Sequence, residues 1–172
     1  MTGRPNTITT AQIYIEPYLA EYAKAKFSTH CSDGGIIIPC SSDLYHCIWE
    51  HMSIKKKNQI DVKGNLLIHL PSRRACDSYT GKNPAYYNYL SVAAASDIEK
   101  CLRLMFNFEL HRLLLENEEF GHKYKNIDLI VEFLHSYSLS SISEDALLKN
   151  YYRYRNRIKS KKTRHYIKKV SV

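Results

Sequence analysis

The run "SDIEKCLRLMFNFELHRLLLENEE", residues 96–119, decides the broad character of the fold. Its apolar residues Ile98, Leu102, Met105, Phe106, Leu110, Leu113 and Leu114 return at helical spacing, which lines them up along one side of an α-helix. Ser96 and Glu99 stand in the S-x-x-E relation, where each side chain can satisfy a backbone N–H that the first turn leaves unpaired. The spacing predicts a helix from Ser96 to Glu119 whose stripe packs on neighbouring helices. Long apolar helices also pair between chains, so a homodimer belongs among the expectations.

On the N-terminal side the pattern alternates between strand and helix. "QIYI" (12–15) reads as a strand, and "EPYLAEYAKAKF" as a helix that tolerates Pro17 in its first turn and buries Tyr18, Leu19, Tyr22 and Phe27. "CSDGG" turns the chain into "IIIP", a short β-branched run closed by Pro39. Ser42 or Asp43 can cap "DLYHCIWEHM", with Leu44, Cys47, Ile48 and His51 at helical spacing, and "NLLIHLP" (65–71) reads as a further strand. These residues form a β-α-β-α-β unit over 8–72, followed by a helical region over 84–159 and a basic tail over 160–172. The fold class is therefore α+β, mostly helical.

Charge is distributed unevenly along the 172 residues. All 17 acids lie at or before Asp145, and ten of the 25 Lys and Arg lie from Lys149 onward, so residues 1–148 carry −2 and the last 24 carry +10. A near-neutral body with a cationic end suits a polyanionic partner. Within the helical region, Ile127, Ile130, Val131 and Leu134 mark a helix over about 126–137. "SLSSIS" interrupts it, and Ser141 with Glu144 offers a capping box for the next helix. There Leu147, Tyr151, Tyr154 and Ile158 share one face, while Lys149, Arg153 and Arg157 share another with Arg155 and Lys159 beside it. Tyrosines and arginines are sorted onto two sides of one helix.

This pair of helices, 126–159, resembles a helix-turn-helix, and the basic "YYRYR" segment is similar in style to DNA-binding proteins of phages and mobile elements. The resemblance implies that the second helix enters the major groove of duplex DNA. It makes Arg153, Asn156 and Arg157 candidates for base contact and Lys149, Arg155 and Lys159 candidates for phosphates. Tyr152 is placed to stack or to donate its hydroxyl, and Lys161, Lys162 and Arg164 extend the cationic surface. The implied role is a transcriptional regulator or accessory factor. RNA or single-stranded DNA binding, and a DNA-processing enzyme using Tyr166 beside Arg164 and His165, are the alternatives.

Signals for other chemistry are thin. No phosphate-binding glycine loop, dinucleotide fingerprint or nucleophile elbow occurs, so no cofactor, small-molecule substrate or catalytic residue is expected. His30, Cys31, Cys40, His46, Cys47 and His51 lack the paired spacing of a metal site, and none is expected. Five cysteines without C-x-x-C, and no N-terminal apolar run of signal-peptide type, suggest a reducing cytoplasm. No window approaches the roughly 18 apolar residues that cross a bilayer.

Overall fold

The computed structural model describes residues 9–27, 33–59, 63–71 and 82–167, with side chains described through Ser160. The chain is α+β and mostly helical: strand β1 (Thr10–Ile13), helices α1 (Pro17–Phe27) and α2 (Asp43–His51), strand β2 (Leu66–His69), then α3 (Val92–Glu119), α4 (Asn126–Ser136) and α5 (Glu144–Ile167). It divides into two compact units, residues 1–105 and 106–172. The first unit thus takes in the beginning of α3, beyond the boundary at 72 expected from sequence.

In the first unit β1 and β2 pair antiparallel, with Thr10 opposite His69 and Ile13 opposite Leu66. The strand expected at 12–15 is therefore shifted two residues toward the N-terminus. The Asn65 side chain continues the pairing past its end, accepting from Ile15 N–H at 3.0 Å and donating to Ile15 C=O at 2.7 Å. The third strand, expected at "IIIP", contracts to a single parallel bridge between Ile36 and Ile68. Pro39 has no N–H to carry the ladder onward, and Gly34, at φ 72°, turns the chain just before it. Gly64 is required for a different reason: a Cβ there would lie 2.1 Å from the Ile13 carbonyl oxygen.

Helix α1 buries Leu19, Ala20, Tyr22, Ala23 and Phe27. Helix α2 is capped by Ser42, whose Oγ accepts from Leu44 N–H at 3.3 Å, and buries Leu44, Tyr45, Ile48 and Trp49. At its other end Lys82 donates to the carbonyls of Trp49, Glu50 and Met52 at 2.9, 2.7 and 2.9 Å, a cation at the negative end of the helix dipole. Helix α3 starts four residues before Ser96. Ser91 caps it, accepting from Ala94 N–H at 3.1 Å, because the alanines at 93–95 are strong helix formers and two of them are buried. Ser96 is an exposed residue inside the helix.

The second unit packs the end of α3 with α4 and α5. Phe106 meets Phe133 edge to face with centroids 5.4 Å apart, and Leu110, Leu114, Leu129, Ile130, Leu147 and Tyr151 are buried around them. Gly121, at φ 86°, ends α3, with His122 N–H reaching back to Asn117 C=O at 2.8 Å. The buried Asn117 then clips the loop, accepting from Tyr124 N–H at 3.1 Å and donating to Asn126 Oδ1 at 3.2 Å. Helix α4 closes the same way through Ser138, a non-glycine residue at φ 50°, with Leu139 N–H bonded to Leu134 C=O at 2.9 Å.

Candidate nucleic-acid interface

Helix α5 begins at Ser143, whose Oγ accepts from Ala146 N–H at 3.3 Å. The capping role assigned to Ser141 therefore falls two residues later. The linker from α4 is Tyr137–Ser143, seven residues against the three or four of a helix-turn-helix. The helix itself continues to Ile167, through the first part of the segment expected as a tail. At 1.5 Å per residue its 24 residues span about 36 Å, one turn of B-DNA.

The inner face of α5 is built from Leu147 and Tyr151, both fully buried, with Tyr154 and Ile158 half-buried. Tyr154 stacks on His111, with ring centroids 4.0 Å apart and planes at 15°. His111 is held from the same helix by Asn150, whose Oδ1 lies 2.7 Å from Nε2. Asn150 donates its amide to Asn107 Oδ1 at 3.1 Å, which leaves its own oxygen facing the ring, so His111 Nε2 carries the hydrogen. Burial, and more weakly the nearby Arg157 charge, depress the His111 pKa, opposed by the bond to Asn150.

Six of the sequence-derived interface residues, Lys149, Tyr152, Arg153, Asn156, Arg157 and Lys159, are exposed on the opposite side. They cover an arc of about 160° at 100° per residue. Lys149 is paired across one turn to Asp145 at 2.6 Å, an exposed contact that screening keeps weak. Arg155 belongs to the other side: it follows Tyr151 by one turn and lies about 200° from Arg153. Its Nε is 3.0 Å from Glu118 Oε1, with the two side chains 29% and 15% exposed, so Arg155 is paired within the unit while it also borders an open groove. That pair is poorly aligned for a hydrogen bond and sits with the buried Tyr151 hydroxyl. Burial and the Glu118 carboxylate push the Tyr151 phenol well above its ordinary range. Lys161, Lys162 and Arg164 lie on the helix, but their side chains are outside the described residues, as are those of His165 and Tyr166.

An open groove of about 550 Å³ borders this surface, lined by Lys123, Tyr124, Lys125, Tyr152 and Arg155. Lys123 Nζ stands 5.3 Å from the centre of the Tyr124 ring. The short run "GHKYK" (121–125) repeats in miniature the aromatic-basic alternation of α5, and that is the signal by which sequence reasoning could have included it. In the first unit, Cys47 and His51 do approach each other, Sγ to Nδ1 at 4.0 Å, but among the described residues no group of three ligands is arranged for a metal. His30 and Cys31 lie outside the described residues. No described helix is long and apolar enough to cross a membrane.

No protein-family model, curated protein or solved structure matches the chain.

Proposed function

We propose that this chain is a non-enzymatic DNA-binding protein of the cytoplasm, a regulator or accessory factor that lays the outer face of α5 along duplex DNA. The supporting observation is the sorting of α5: Arg153, Asn156, Arg157 and Lys159 stand exposed on a helix whose aromatic residues Tyr151 and Tyr154 are turned into the unit. Arg153 and Arg157 suit guanine edges or phosphates, Asn156 suits adenine, and Lys159 suits phosphate. The seven-residue linker makes the pair a relaxed relative of a helix-turn-helix, in which the length of the second helix does the reaching. A homodimer would present two such helices to two half-sites.

Tyr152 and Tyr124, 40% and 54% exposed on the border of the Lys123–Lys125 groove, favour a second reading, stacking on unpaired bases of RNA or single-stranded DNA. Fluorescence anisotropy with duplex and single-stranded oligonucleotides over a salt series separates the two. With four to six phosphates contacted, log K on duplex DNA falls against log salt with a slope of about −4 to −5. Absence of duplex binding at low salt overturns the proposal. Tighter binding to single strands transfers it to the stacking mode.

A further inference from the structure

The loop between α3 and α4 holds a tyrosine half out in solvent on a fixed mount. Gly121 and His122, at φ 86° and 54°, are two successive left-handed residues that turn the backbone out of α3. Behind this turn the buried Asn117 grips Tyr124 on both sides, accepting from its N–H at 3.1 Å and donating to its C=O at 2.9 Å. The Tyr124 backbone is thus tied to the core while the residue stays 54% exposed. Lysines flank it in sequence, and Lys123 Nζ lies 5.3 Å from the ring centre.

Tyr124 lines the groove of about 550 Å³ together with Tyr152 of α5. Glu118 is the one carboxylate among the described residues of that groove, and Arg155 pairs with it at 3.0 Å. The charge left to the groove is therefore that of Lys123 and Lys125. At 100° per residue, Tyr152 lies about 40° from Leu148, which lines the groove, and about 40° in the opposite sense from Asn156 on the exposed cationic face. Tyr152 is the point at which the outer face of α5 turns into the groove.

We propose that this groove receives an unpaired nucleotide next to a duplex lying on α5, so that the preferred ligand is a duplex with a single-stranded extension. The inference rests on the duplex-binding reading of α5 and adds a second subsite to it. Inside a duplex both faces of a base are covered by its neighbours, and an exposed tyrosine ring finds nothing to stack on. A base beyond the last pair has a free face for Tyr124 or Tyr152. The phosphates of the extension continue past that base, where Lys123 and Lys125 supply the cations. The volume lies within the roughly 300–1,000 Å³ of sites that enclose small organic ligands, which gives a nucleotide room to enter.

Fluorescence anisotropy with the full chain at one moderate salt concentration tests the subsite. The ligands are a blunt duplex, the same duplex with a short thymidine tail of either polarity, the same tail built from abasic sugar-phosphates, and the single strand alone. The tailed duplex should bind at least about fivefold tighter than the blunt one, the lower end of what one base–aromatic stack contributes. The abasic tail, which keeps the phosphates, should lose most of that advantage. Tyr124→Leu should abolish the difference between tailed and blunt duplex and Tyr124→Phe should preserve it, with folding of both variants checked by circular dichroism. Equal affinity for blunt and tailed duplexes overturns the proposal and leaves duplex binding by α5 standing. An abasic tail as good as the natural one, a Tyr124→Leu variant with the difference intact, or a single strand that binds as tightly as the tailed duplex also overturns it. Binding to none of these oligonucleotides removes the duplex reading and the subsite together.

Discussion

His111 shows how one buried polar side chain ties the two faces of α5 together. Its ring is stacked on Tyr154, its Nε2–H is held by Asn150, and Arg157 approaches from the cationic side. Burial and, more weakly, the Arg157 charge disfavour the imidazolium against the Asn150 bond, so the folded pKa lies below the ordinary value of about 6.5. Above about pH 6.5 neither folded nor unfolded chain is charged at this residue, and its stabilising packing is complete. Below that, the unfolded chain takes up a proton that the folded chain resists, and stability is lost as pH falls toward the depressed folded pKa. The melting temperature should therefore fall between pH 7 and pH 5, and His111→Gln, which keeps a donor for Asn150, should flatten part of that fall. A titration of the His111 ring by NMR gives the direct reading. A midpoint at or above the ordinary histidine value contradicts the assignment.

At the scale of the element, the two sides of α5 should separate stability from binding. Tyr154→Ala removes a stacked, half-buried ring and is expected to cost about 2 kcal/mol, seen as a lower melting temperature with little direct effect on phosphate contacts. Arg153→Ala with Arg157→Ala removes two exposed cations, leaves the melting temperature within a degree or two, and lowers duplex affinity at least tenfold. Equal thermal losses in both variants would show that the faces are misassigned. This division was legible in sequence because helical periodicity is a local property: Leu147, Tyr151, Tyr154 and Ile158 announce an inner face wherever the helix packs. The pairing of Arg155 was not legible, since its partner Glu118 lies 37 residues away. The same holds for His111 and Asn150, polar residues that become core only through each other. In the first unit the β-branched run Ile36–Ile38 has the composition of a strand yet yields one bridge, because Pro39 and the Gly34 turn limit the ladder more than side-chain preference extends it. The Ser96 capping box was overridden by a run of alanines with a serine of its own in front.

For the molecule as a whole, the net −2 over residues 1–148 and +10 over the remainder mean that affinity for a polyanion should reside almost entirely in α5 and its continuation. The helix extends eight residues beyond Lys159, adding about 12 Å of reach to the face carrying Arg153 and Arg157. A chain ending at Lys159 would lose five cations, Lys161, Lys162, Arg164, Lys168 and Lys169, while keeping every described core residue of the second unit. Its far-ultraviolet dichroism should lose only the signal of those last helical turns, and its melting temperature should change little. Each cation that meets a phosphate contributes about 0.9 to the salt slope, so if half of the phosphate contacts come from the removed segment, the slope should weaken from about −4.5 to about −2.3. Comparing the two chains over the same salt series reads this difference directly. An unchanged slope would confine the phosphate contacts to residues 149–159 and take Lys161, Lys162 and Arg164 out of the interface.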